Sequence, residues 1–233
     1  MPNQIVASAT RLYKLALMAN FTRGRRTNNT VAAVVYATCR LFTPRPRTLP
    51  FHSQRLTNPA LVPYMLIDLA DYFQVNVFEL GHTFLRLSDT LALKLPLIDP
   101  SIYVPRFARD LKLGGKQHKV SQCAVRLVAR MKRDWIVIGR RPGGISGACL
   151  LIACRLFGFK RSLEEISALV HLSVSTIRKR LSEFRDTEAC KLTSAEFDSI
   201  LDFDDIEASD PPCFTRSRKE AEKVGRLSFK RDF

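Results

Sequence analysis

The feature that most constrains this chain is that it repeats itself. The stretch from Gly24-Arg25-Arg26 to Cys39-Arg40-Leu41-Phe42 returns 115 positions later, as Gly139-Arg140-Arg141 to Cys154-Arg155-Leu156-Phe157. In both copies a short basic segment leads into a run that is almost wholly apolar and rich in small residues. A run without a polar stripe predicts a helix enclosed by other helices rather than one lying on a surface. The chain builds that plan twice.

The same register extends upstream, placing Ile5 to Phe21 over Val120 to Ile136. Leu12, Leu15 and Ala16 share one helical face in the first copy, and Ala124, Leu127, Val128 and Met131 share one in the second. Downstream the offset becomes 97, with Val75-Asn76-Val77 over Leu172-Ser173-Val174. The extra residues of the first copy fall in the segment 43–62, whose prolines at 44, 46, 50 and 59 predict a loop insertion. Leu66, Leu69, Tyr72 and Phe73 predict one amphipathic helix, and Leu80, Phe84 and Leu87 the next. In the second copy, Leu163–Val170 and Val174–Phe184 form a pair separated by the tight turn His171-Leu172-Ser173, the pattern of a helix-turn-helix. A helix opened by Asp99-Pro100-Ser101, with Val104, Phe107, Ala108 and Leu111 inward, begins the second copy; its counterpart in the first would precede Met1.

The expected fold is therefore all-α: two tandem five-helix repeats, the first lacking its first helix, followed by a tail. The expected divisions are 1–95, 96–187 and 188–233. Beyond Glu183 the apolar pattern fades, and the acidic run with Pro211-Pro212 predicts a mobile tail.

Charge is where composition enters. The chain carries +15 overall, but up to Arg185 there are 29 Lys and Arg against 10 Asp and Glu, and from Asp186 to Asp210 there is 1 against 9. A folded region this basic favours a polyanion, above all nucleic acid. The helix of the second pair offers an outward set near its N-terminal end, Ser175, Thr176, Arg178 and Lys179, where a recognition helix meets base edges and phosphates. The first-copy positions opposite Arg178 and Lys179 are Gly81 and His82, so only the second copy is expected to read DNA. Arg25 and Arg26, and Arg140 and Arg141, each stand before a buried helix, where a backbone phosphate could meet a guanidinium and a helix N-terminus.

Other chemistries fare poorly. The histidines at 52, 82, 118 and 171 lack nucleophile or ligand partners in sequence, and the six cysteines show no C-x-x-C pair. Reduced structural thiols, no metal and no enzyme are expected. No apolar run reaches the roughly 18 residues that a membrane span requires.

Gly139-Arg140-Arg141-Pro142, the helix to Cys154-Arg155, and Ser173 to Leu181 resemble the second repeat of the transcription factor IIB family, whose repeats have a cyclin-like fold. Met131-Lys132-Arg133-Asp134-Trp135, Arg11-Leu12-Tyr13-Lys14 with Asn20-Phe21, and Asp210-Pro211-Pro212-Cys213-Phe214 are similar to the family's branch within TFIIIB, the RNA polymerase III initiation factor. The resemblance implies a non-enzymatic, nuclear platform that holds TATA-box-binding protein and flanking promoter DNA and helps recruit RNA polymerase III. Polymerase III subunits and the other TFIIIB subunit would be further partners. On the matched motifs it implies Ser175 and Arg178 as groove-facing positions, and Arg25 or Arg26 and Arg140 as phosphate-proximal ones. The family's zinc ribbon has no counterpart here, so no cofactor is expected. A polymerase II-type factor IIB and a cyclin-like kinase regulatory subunit are the alternatives. The second gives no reason for so much positive charge.

Overall fold

A computed structural model describes residues 3–42, 64–193, 196–197 and 208–229, the last segment with side chains to Glu222. No strand occurs among them. The chain divides into two compact units, Met1–Ile98 and Asp99–Phe233. In the first, α1 (Asn3–Met18), α2 (Thr27–Phe42), α3 (Leu66–Phe73) and α4 (Val77–Thr90) follow one another. In the second, a 3-10 turn at Pro100–Tyr103 runs into α5 (Val104–Asp110). There follow α6 (Gln117–Arg133), α7 (Pro142–Leu156), α8 (Leu163–Val170), α9 (Val174–Arg185), a 3-10 turn at Glu188–Lys191, and α10 (Pro212–Phe229).

The duplication is preserved in backbone detail. α2 and α7 begin at 27 and 142, α3 and α8 at 66 and 163, and α4 and α9 at 77 and 174, on the offsets of 115 and 97 read from sequence. Left-handed residues also coincide: Asn20 with Trp135, Gly24 with Gly139, and Gln74 with His171. Since L-residues rarely adopt positive φ, the two non-glycine coincidences mark one chain path used twice. The fold is the expected pair of all-helical, cyclin-like repeats. The 43–62 insertion lies outside the described residues.

Each unit is organised around its small-residue helix. α7 buries every residue from Gly143 to Leu151, with Ala153 and Cys154, and packs against α5, α6, α8 and α9. Its glycines permit that approach: a Cβ added at Gly147 would lie 3.0 Å from Val170 Cγ2 and 3.2 Å from Ile166 Cγ2. Pro142 at the start fits a position whose N–H has no intrahelical partner. In the first unit α2 buries Ala32, Ala33, Val34, Tyr36 and Ala37 and packs against α1, α3 and α4. Tyr36 meets Phe84 of α4 edge-on, ring centroids 4.9 Å apart. The Thr38 hydroxyl inside this helix is satisfied by donating to Val34 O at 2.8 Å.

After α9 the described residues of the tail make several contacts within the second unit. Ala189 and Phe197 are buried. Arg126 Nη2 donates to Phe197 O at 2.7 Å and its guanidinium stands 4.9 Å from the Phe197 ring centre. Ser209 N donates to Asp134 Oδ1 at 3.1 Å, and Glu188 N donates to Ser209 Oγ at 3.4 Å. Asp134 in turn is paired with Arg130, Nε to Oδ2 at 3.1 Å and Nη2 to Oδ1 at 3.0 Å, with both side chains wholly buried. Arg126 on α6 and Asp134 just after it thus contact described residues of the tail, and α10 spans Pro212–Phe229. Lys219 of α10 lies 3.6 Å from Asp186 at the end of α9.

Candidate nucleic-acid interface

The α8–α9 hairpin is set by local chemistry. Ser162 caps α8 by accepting from Glu165 N at 3.1 Å, while Glu165 Oε2 accepts from Ser162 N at 3.3 Å, a reciprocal capping box. His171 closes α8 in the left-handed conformation, φ 54°. The Ser167 hydroxyl donates to Leu172 O across the turn. Ser173 then caps α9, its Oγ accepting from Thr176 N. From that start Ile177 and Phe184 are buried, while Val174 and Leu181 are half-buried. Helical spacing turns Ser175, Arg178 and Lys179 to solvent, and all three are exposed.

Thr176 differs from its sequence grouping with those outward residues. It is half-buried, its Oγ1 2.8 Å from Ser173 Oγ, and its methyl lies 3.7 Å from where a Cβ on Gly144 would stand. It serves the cap and the α7 contact. Among the described residues, neither Arg178 nor Lys179 has an ion-pair partner, so their charge is directed outward.

The basic loops before α2 and α7 are arranged differently from one another. Arg140 is held by Glu183, Nε to Oε2 at 3.1 Å and Nη2 to Oε1 at 2.9 Å, and its Nη1 donates to Ile138 O at 2.8 Å. Arg180 Nη1 lies 2.6 Å from the same carboxylate. One glutamate therefore fastens the loop before α7 to α9 and takes up part of the Arg140 charge that sequence assigned to a phosphate. The sequence reading missed both Glu183 and Arg180. Their three-residue spacing on one helix signals their mutual pairing, but nothing in it signals Arg140. Arg141 is exposed at the N-cap of α7 and makes no side-chain cap. In the first unit Arg25 donates to Phe21 O and lies over the Phe21 ring at 4.1 Å. Arg26 is exposed, its carbonyl accepting from Thr30 N at 3.2 Å.

The structure thus brings Arg140, Arg141 and the α9 cations into one unit, while Arg25 and Arg26 belong to the other. Among the described residues no group of three His, Cys, Asp or Glu side chains could hold a metal ion, and no helix is long and apolar enough to cross a membrane. None of the six cysteines is in a disulfide; Cys39, Cys123, Cys149 and Cys154 are buried and Cys190 and Cys213 exposed. Burial pushes the Cys154 thiol up to about 11 and raises that of Cys39.

The model of the transcription factor TFIIB repeat matches residues 1–49 and 93–187, the two stretches that carry α1–α2 and α5–α9. The chain belongs to the TFIIB repeat family. Its similarity extends to the TFIIIB branch. Over 233 residues it is 42% identical to the transcription factor IIIB 60 kDa subunit of Schizosaccharomyces pombe, covering 98% of this chain and 43% of that protein. It is 42% identical over 213 residues to the 90 kDa subunit of Homo sapiens, covering 91% of this chain and 28% of that protein. The 70 kDa subunit of Saccharomyces cerevisiae is 40% identical over 224 residues, with coverages of 96% and 34%. The chain spans less than half the length of these curated relatives. For a TFIIB-repeat protein, the two copies have diverged at their helix hairpins: the α9 positions of Arg178 and Lys179 are Gly81 and His82 in α4.

Proposed function

We propose that this TFIIB-repeat chain is the core of an RNA polymerase III initiation factor. In this reading it is non-enzymatic, acts in the nucleus and uses no cofactor. It binds TATA-box-binding protein together with the promoter DNA beside it, joins the other TFIIIB subunit, and helps recruit polymerase III. The observation that carries the DNA part is the solvent-facing set Ser175, Arg178 and Lys179 on α9, cationic and without described carboxylate partners. Such a helix suits a major groove: arginine can bind a guanine edge in bidentate fashion, and lysine neutralises phosphate. Arg141, exposed at the start of α7, adds a guanidinium beside unsatisfied helix N–H groups, a second phosphate position. The names of the relatives support the polymerase III assignment.

A mobility-shift experiment on polymerase III promoter DNA, with and without TATA-box-binding protein, tests this reading. A ternary complex that weakens steeply with salt is expected, because each phosphate contact releases condensed counterions. If the complex of TATA-box-binding protein with DNA migrates unchanged at every chain concentration in low salt, the reading is wrong.

A further inference from the structure

The two helix hairpins share a backbone and differ in what they show to solvent. On α9 the outward stripe at helical spacing is Ser175, Lys179 and Ser182, all exposed. The same positions on α4 are Phe78, His82 and Leu85, with Phe78 79% and Leu85 59% exposed. Tyr72, in the last turn of α3 and separated from α4 by the turn Gln74–Asn76, is 80% exposed. A large aromatic left in water at both ends of one tight turn is unusual for a surface without a partner. Core packing does not account for it, since Leu69, Leu80, Phe84 and Leu87 fill the interior of this hairpin.

Charge distinguishes the surfaces as well. Between Leu66 and Thr90 the ionisable carboxylates are Asp68, Asp71, Glu79 and Asp89 against the single cation Arg86. Asp68 is engaged in capping, accepting from Met65 N at 2.7 Å, and Glu79 accepts from Asn29 Nδ2 at 3.2 Å. Asp71 and Asp89 are exposed, one beside Tyr72 and the other one helical turn beyond Leu85. In a chain of net charge +15, this hairpin is a local acidic island with an apolar centre. Such a surface repels a phosphate backbone and complements a cationic, partly apolar polypeptide.

We propose that the outer face of α3–α4, centred on Tyr72, Phe78 and Leu85 and edged by Asp71 and Asp89, is a docking site for a basic amphipathic segment of a partner protein. The first repeat has exchanged the groove-facing chemistry of the second for protein recognition. The apolar side chains supply the desolvated centre, and the carboxylates set orientation and exclude acidic partners. This proposal uses a different surface from the DNA reading and can fail without it.

The test uses the full chain and two labelled 18-residue helical peptides, one with leucine on one face and lysine on the other, and one with glutamate replacing lysine. Fluorescence anisotropy at low salt should show the lysine peptide binding at least tenfold more tightly than the glutamate peptide. Phe78→Ser/Leu85→Ser, which installs the second-repeat residues, should weaken the lysine peptide at least tenfold while leaving the melting temperature unchanged, because both positions are exposed. Asp71→Asn/Asp89→Asn should weaken it several-fold and flatten its salt dependence. Equal affinity for the two peptides, or undiminished affinity of the serine variant, overturns the proposal. Direct binding of labelled duplex DNA to the full chain that Phe78→Ser/Leu85→Ser weakens at least tenfold overturns it too, by making this face a nucleic-acid surface.

Discussion

Replacing Asp134 by asparagine should destabilise the second repeat from its interior. Both side chains of the Arg130–Asp134 pair are wholly buried, and the carboxylate makes three contacts: Arg130 Nη2 and Ser209 N at Oδ1, and Arg130 Nε at Oδ2. The amide keeps the shape and removes the charge, leaving a guanidinium in the interior without this carboxylate. Breaking a buried pair from one side costs about 3–5 kcal/mol. The amide nitrogen must also face one of the former donors, which adds about 1 kcal/mol. For a unit the size of Asp99–Phe233, a loss of this size lowers the melting temperature by about 14–21 °C. Calorimetry of the single variant measures it. The double variant Arg130→Leu/Asp134→Ala carries the residues of the first repeat, Leu15 and Ala19, and removes both charges together. Because an apolar replacement can match a buried pair, it should recover at least half of the loss. A shift below about 3 °C for Asp134→Asn on the same scale, or a double variant no more stable than the single one, would refute the reasoning.

Four further outcomes are expected. Gly147→Ala should destabilise by about 1–3 kcal/mol in urea unfolding, since its Cβ meets Val170 Cγ2 at 3.0 Å and α7 and α8 must separate. Glu183→Gln should release Arg140 and Arg180, and non-specific DNA binding should become tighter and steeper in salt, with the log–log slope growing by about 1. Thiol titration of the folded protein should modify Cys190 and Cys213 quickly and the four buried cysteines only after unfolding. The raised thiols of Cys39 and Cys154 stay protonated in the fold at pH values where the unfolded thiols ionise. Stability should therefore fall as pH rises above about 9, the unfolded value, and for Cys154 continue falling to about 11.

Much of the architecture was legible because it is written in periodicities. The small-residue runs at α2 and α7 could only be enclosed helices, and the constant offset located their partners. In the structure, side-chain caps at Asn76, Ser162 and Ser173 begin α4, α8 and α9. The outward face of α9 followed from spacing alone. What sequence concealed were pairings across distance. Arg130 and Asp134 stand four residues apart on what reads as a solvent-facing, basic helix end, yet both are wholly buried and Asp134 also accepts from Ser209 N. Glu183 reaches Arg140 across 43 positions, a contact without periodic signature. Thr176 sits on the boundary between faces, and the close approach of Gly144 decides its side. In the tail, Phe197 and Ser209 make single contacts that average composition does not report.

The salt dependence of the ternary complex tests the central claim most directly. Affinity for promoter DNA bearing TATA-box-binding protein would be measured across a salt series for the unchanged chain and for Arg178→Ala/Lys179→Ala. If α9 lies in the groove, the variant binds at least tenfold more weakly at low salt, and its log–log slope is shallower by about 1–2. Superimposable curves for the two proteins would place the DNA elsewhere and contradict the account.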